Sequence, residues 1–236
     1  MPPTTRSRPR PQFRSATVVE VQDLSPRVRR IRFNGEELQG IEWTAGQKIK
    51  LKGGDFFRSY TPSAVDSKEG WMDIIVFLHG NGPASQWAAR AAVGERLELT
   101  GPSKSVDGPD GVPQWALFLG DESTIGLAYA LIQALPDGVE VLGAIELDSV
   151  DAGALEALGL KLNHAVRGDE HGDALLTWLE QTSLPTGEGM IWVSGEAISA
   201  RALKQALMDR GPEQIQFKMK AYWSRKGHAH RKAMGV

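Results

Sequence analysis

A guanidinium, a phenol and a hydroxyl stand close together in "FFRSYTPSA", Phe56 to Ala64: Arg58, Tyr60 and Thr61. A strand alternates its side chains, so Arg58 and Tyr60 share a face while Thr61 lies on the other. A guanidinium pairs with phosphate oxygens through its planar fork of N–H donors. A tyrosine ring covers an aromatic plane, and a threonine hydroxyl or backbone N–H hydrogen-bonds a heteroatom at the ring's edge. The set suits a planar aromatic ligand that carries phosphates. Taken alone, the tetrapeptide reads as an edge strand with a solvated arginine and a half-buried tyrosine.

A second phosphate-friendly element follows in "HGNGPASQW", where Gly82-Pro83-Ala84-Ser85 leads into a helix. The first turn of a helix has unpaired N–H groups and the positive end of the dipole, which suits a pyrophosphate. Pro83 fits there because its missing N–H is not needed. A capped turn without a ligand is the plain alternative, and a lone His79 reads as a strand-end histidine. Two such elements beside one aromatic platform are harder to set aside.

The later turns are less generous to an anion. No Gly-x-Gly-x-x-Gly is present, so the dinucleotide fingerprint is missing. "GDEST", Gly120 to Thr124, places Asp121 and Glu122 where they would repel a pyrophosphate, while Ser123 and Thr124 are suited to cap a helix. "VSGEAISARALK" sets Gly195, Glu196 and Ala197 between a strand end and a helix that carries Arg201 and Lys204. The tail gathers Arg225, Lys226, Arg231 and Lys232 with His228 and His230. A solvated basic tail explains that cluster as well as a binding role does, and the His-x-His pair lacks a third ligand for a metal site.

These residues need elements to hold them. From Phe13 the chain reads as short strands broken by Gly, Pro and Asp, with Ile31 and Phe33 pointing one way and Arg30 and Arg32 the other. That pattern predicts an antiparallel β-barrel over residues 13–103, interrupted by the alanine-rich helical patch "GPASQWAARAAVG". The Gly-, Pro- and Ser-dense stretch Gly101 to Pro113 reads as a connection, with the linker proper at 104–113. Residues 114–236 then alternate apolar strands with helices, which predicts a doubly wound parallel sheet. Ligands of such sheets sit beyond the carboxyl ends of the strands.

Bulk properties narrow the classes further. A net charge of −2 gives no global attraction to nucleic acid or anionic lipid, so any anion must be bound locally. The absence of cysteine excludes disulfides, thiolate metal sites and cysteine nucleophiles. No apolar run approaches the roughly 20 residues that span a bilayer. The arm at 1–12 is basic and proline-rich with no apolar core behind it, so it is read as flexible and not as a secretory signal. Its arginines, with Arg14, suit phosphate contacts, but solvated charges explain them better. The expected location is cytoplasmic.

"RSYTP", "VFLHGNGPASQWA", "LTGP", "FLGDEST", "WVSGEA" and "AYWSRKG" occur in an order that resembles the siderophore-interacting proteins, a branch of the ferredoxin–NADP reductase-like flavoproteins. The resemblance runs from about Phe13 to about Gly227. It implies an FAD-binding barrel followed by an NAD(P)-binding-like domain, with Arg58 on the FAD pyrophosphate, Tyr60 stacked on the isoalloxazine and Thr61 near its reactive nitrogen. Ser59, His79, Gly80, Gly82, Ala84, Ser85 and Trp87 would complete the cofactor site. Asp121, Glu122, Gly195, Glu196, Ala197 and Arg201 would lie on the side of the electron donor, NADPH or NADH. The turn at Ser123-Thr124-Ile125-Gly126 departs from the family's Asp-Glu-Thr-Ala-Leu-Pro pattern, and the acidic Asp121 and Glu122 leave the donor open.

The implied activity is ferric-siderophore reduction. Lys50, Arg225 and Lys226 are the expected contacts for an anionic ferric siderophore, and Tyr60 and Thr61 the residues at the reacting ring. A ferredoxin is a possible protein donor. Two alternatives stay open: a flavin reductase with another acceptor, and a siderophore-binding module without catalysis. No metal ligated by the protein is expected.

Overall fold

The computed structural model describes residues 12–54, 56–80 and 82–225. The first half forms a seven-stranded antiparallel sheet from β1 (Arg14–Ser25), β2 (Val28–Asn34), β3 (Lys48–Gly53), β4 (Phe56–Tyr60), β5 (Pro62–Asp66), β6 (Trp71–Phe77) and β7 (Arg96–Ser103). The order across the sheet is β4-β3-β7-β1-β2-β6-β5. Its two edge strands, β4 and β5, are separated in the chain by Thr61 alone, so the sheet must curl until its edges meet. That is the expected barrel, closed through one residue of chain.

Alternation decides which way each strand faces. Ile31 and Phe33 are fully buried, while Arg32 turns outward to a forked pair with Asp73 at 2.7 and 2.8 Å. The barrel core also holds Ile49, Leu51, Met72, Ile74 and Leu99. Helix α1 (Pro83–Arg90) packs onto it between β6 and β7 in the chain.

The second half is a parallel sheet of β8 (Trp115–Asp121), β9 (Glu140–Leu147), β10 (Asn163–Val166), β11 (Gly189–Glu196) and β12 (Ile215–Trp223), in the order β10-β9-β8-β11-β12. Every residue of β8 and β11 is buried, as central strands covered on both faces must be. Phe118 and Trp192 face α2 (Ile125–Gln133) and α3 (Gly153–Ala157), and that layer continues into barrel residues Val28 and Ile75. Leu117 and Ile191 face α4 (Asp173–Gln181) and α5 (Ala197–Asp209). The sheet is doubly wound.

Two further ties fix the halves together. Asp151, fully buried, accepts hydrogen bonds from Ser25 Oγ (2.7 Å), Arg27 N (2.9 Å) and Arg27 Nε (2.7 Å). The stretch read as a linker is also pinned: Val106 N donates to Gly46 O at 3.1 Å, and Trp192 Nε1 to Asp107 O at 3.1 Å. Among the described residues no helix is long and apolar enough to cross a membrane. The arm at 1–12, except Gln12, and the tail beyond Arg225 lie outside the described residues.

Candidate active site

Strand β4 is an edge strand, and Phe57, Arg58 and Ser59 are exposed along it. Arg58 is exposed and makes a long polar contact of 3.4 Å to the carbonyl of Phe57. It pairs with no carboxylate among the described residues. Tyr60 is half-buried against the barrel core, and that burial pushes its phenol up to about 12, so it stays neutral at physiological pH. Ser59 is exposed, whereas Thr61 is 7% exposed and points its hydroxyl at Tyr222 Oη, 2.5 Å away.

Helix α1 reaches β4 through its aromatic residue. Trp87 is 5% exposed, stacks near Phe33 at 6.5 Å, meets Phe56 at 5.2 Å, and donates Nε1–H to Glu95 at 2.8 Å. Trp87, expected to complete the cofactor site, is packed into the barrel core, where it docks α1 on β4. The helix start it positions is open. Gly82 takes φ 86°, no side chain caps the turn, and a Cβ at Gly80 or Gly82 would meet nothing within 4 Å. Ser85 and Ala84 are buried beneath, and Ser85 Oγ accepts from Gly80 N at 3.1 Å, shaping the loop that carries exposed His79.

The start of α1, the glycine loop with room above it, and Arg58 on β4, which pairs with no carboxylate among the described residues, are suited to a phosphate. A half-buried tyrosine ring lies two residues along. The donor set fits FAD.

Lys50 lies on β3, beside the strand that carries Arg58 and Tyr60. It pairs with Ser59 across β3–β4, and its Nζ lies 5.2 Å from the ring centroid of Phe57. It therefore shares a face with Phe57 and Ser59, opposite to Arg58 and Tyr60. Arg225 is also committed: its guanidinium pairs with Glu170 at 2.9 Å, and its backbone N–H donates to Glu196 at 3.2 Å. Lys226 lies outside the described residues.

The carboxyl edge of the parallel sheet gathers four buried acids. Asp121 Oδ2 accepts from Glu196 N at 2.8 Å and from Trp223 Nε1 at 2.9 Å, while Oδ1 accepts from Ser123 N at 3.0 Å. Glu196 accepts from Ile198 N at 2.6 Å and Ser199 N at 3.0 Å, capping α5. Although its burial opposes the charge, those N–H donors and Arg225 hold its carboxyl below the usual range. Glu122 is paired with Arg167, which also reaches the backbone carbonyl of Glu146. Ala197 is half-buried at the helix start and Arg201 exposed one turn on. Glu146, Arg167, His171 and Tyr222 were not picked out from the sequence as site residues, because their partners lie far away along the chain.

Two family models match the chain: "Siderophore-interacting FAD-binding domain" over residues 55–106 and "Siderophore-interacting protein" over residues 113–226. The chain belongs to the siderophore-interacting protein family. Arg58 through Trp87 fall inside the FAD-binding span. Among curated relatives, the NADPH-dependent ferric-chelate reductase of Escherichia coli (strain K12) is 23% identical over 250 residues, covering 91% of this chain and 94% of that protein. Among solved structures, a siderophore utilization protein from T. fusca superposes with a TM-score of 0.78 at 27% identity, covering 91% of this chain and 93% of its own. The siderophore-interacting protein SipS from Aeromonas hydrophila has a TM-score of 0.74 at 22% identity over 92% of this chain and 100% of its own, a likeness of fold.

Proposed function

We propose that this chain is an FAD-dependent ferric-siderophore reductase that draws on a reduced nicotinamide cofactor. The observation that carries the reading is the open cradle of Arg58 and the uncapped start of α1, set in the FAD-binding domain of a siderophore-interacting protein. When bound, FAD supplies the conversion between a two-electron hydride donor and a one-electron acceptor.

The protein's residues do the rest. Arg58 and the N–H groups at the start of α1 hold the pyrophosphate. Tyr60, neutral at working pH, offers its ring to the isoalloxazine. Thr61, oriented by Tyr222, presents a hydroxyl or backbone N–H at the ring edge. No side chain need ligate the iron, which is substrate. Hard oxygen ligands favour ferric over ferrous iron, so reduction loosens the siderophore's grip. Lys50 and Arg225 are the proposed contacts for an anionic siderophore, and Arg225 must first leave Glu170.

The test is an anaerobic one. The FAD-loaded protein is reduced with NADPH or NADH and mixed with ferric catecholate, ferric citrate or a simple ferric chelate. Recovery of oxidised-flavin absorbance faster than in buffer is the expected result. If no ferric complex accelerates it, the reaction class is wrong. If reduced ferredoxin alone loads the flavin with electrons, the reaction stands and the donor is a protein.

A further inference from the structure

We infer that the second domain recognises a dinucleotide donor by its nicotinamide end alone, because the chain's own carboxylates fill the places that a pyrophosphate and a ribose would take. The inference rests on the reading that a reduced nicotinamide is the donor. The sheet order β10-β9-β8-β11-β12 reverses direction between β8 and β11, and open α/β sheets bind their ligands in the crevice beyond such a reversal. Asp121 ends β8 and Glu196 ends β11.

The crevice is occupied from within. Asp121, 4% exposed, spans it by accepting from Glu196 N on the other strand and from Trp223 Nε1 on β12. Gly195 is kept bare for this carboxylate: it takes φ +119°, and a Cβ there would lie 2.5 Å from Asp121 Oδ2. The first-turn N–H groups of α5, the natural grip for a phosphate, are taken by Glu196. At the end of β9, where sheets of this kind place an acid for the ribose hydroxyls, Glu146 is 1% exposed. Both its oxygens accept from Gly172 N at 2.9 Å, with Arg167 Nε 3.7 Å away.

The contrast within one molecule is sharp. Helix α1 starts on a glycine with no side-chain cap, open space and, nearby, an arginine that pairs with no carboxylate among the described residues; α5 starts on a buried glutamate beside a buried aspartate. A pyrophosphate brought to the second site would compete with the hydrogen bonds that these two buried carboxylates already accept and meet their charge. Like charges in a buried site repel strongly.

The experiment uses the FAD-loaded full chain. ADP-ribose, which has the pyrophosphate and no nicotinamide, is titrated in by calorimetry. Flavin reduction by NADPH is then compared with reduction by reduced nicotinamide mononucleotide, which lacks the second phosphate and the adenosine. The expected result is no saturable ADP-ribose heat at millimolar concentration, with the two donors reducing FAD at second-order rates within roughly threefold of each other. A pyrophosphate held by charge-assisted hydrogen bonds would separate the donors by on the order of a hundredfold. That separation, or micromolar ADP-ribose binding, overturns the inference while NADPH reduction keeps the donor reading. If neither nicotinamide reduces the flavin, the donor reading falls and takes the inference with it.

Discussion

The hydroxyl of Thr61 meets that of Tyr222 at 2.5 Å, across 161 residues of chain. Thr61 is the single residue that carries the chain between the two edge strands of the barrel, and Tyr222 is near the end of the last strand of the second sheet. One hydrogen bond therefore holds Thr61, the residue proposed to face the ring, against the second domain. Burial pushes the Tyr222 phenol up to about 12, so the bond is between two neutral hydroxyls at any ordinary pH.

A double-mutant cycle measures that tie. Tyr222→Phe and Thr61→Val should each destabilise the protein by about 1 kcal/mol, the net worth of a partly buried hydrogen bond. The double variant should lose clearly less than the two single losses together, because the bond is counted once. Denaturant unfolding of the four proteins reads the coupling. Strict additivity would show that the contact is incidental.

Arg58 and Trp87 separate binding from scaffolding. Arg58→Ala removes an exposed cation, so thermal stability of the flavin-free protein should stay within about 0.5 kcal/mol while FAD affinity falls by tenfold or more. Trp87→Ala empties a core position and should cost about 3–5 kcal/mol. Trp87→Phe keeps most of the apolar contact with Phe33 and Phe56 and should retain FAD. Fluorescence titration of FAD together with melting curves distinguishes the cases. Full flavin occupancy in Arg58→Ala would defeat the assignment.

The Arg27–Asp151 clamp should be a stability element. Asp151→Ala strands Ser25 Oγ, Arg27 N and the Arg27 guanidinium, with Asp148 left as the arginine's remaining acid. Because Arg27 is 36% exposed and water can reach it, the expected loss is about 2 kcal/mol, below that of a fully buried pair. Urea unfolding checks it, and a loss under about 0.5 kcal/mol would mean that the halves are held by apolar packing alone.

Local pattern carried much of the fold. The alternation of Ile31 and Phe33 with Arg30 and Arg32, the unbroken apolar runs of β8 and β11, and Pro83 in the first turn of α1 were all readable, since each is a property of neighbours in sequence. Three things were not. Trp87 on a short helix suits a ligand or a core equally until Phe33 and Phe56 arrive from other strands. The face of Lys50 depends on its register with Ser59. The acid cluster at Asp121 draws on Glu196 and Trp223, residues that only the sheet order brings together. The acidic "GDEST" turn did signal hostility to a pyrophosphate, but nothing local showed that Gly195 is room for Asp121.

Asp121 should also leave a signature in pH. Burial, then the charge of Glu122, push its carboxyl from 3.8 up to about 6, against the pull of Ser123 and Trp223. A carboxyl whose folded pKa lies above its unfolded one binds its proton more tightly when folded. Its stabilising contribution is therefore full below about pH 4 and is lost as pH rises through 6. The difference is on the order of 3 kcal/mol. Asp121→Asn cannot titrate, so wild type should gain on the variant as pH falls from 7 to 4.5, even while both weaken from other acid effects. Paired unfolding curves at the two pH values give the comparison. A constant difference between wild type and variant would mean that the four hydrogen bonds donated to Asp121 keep it ionised throughout.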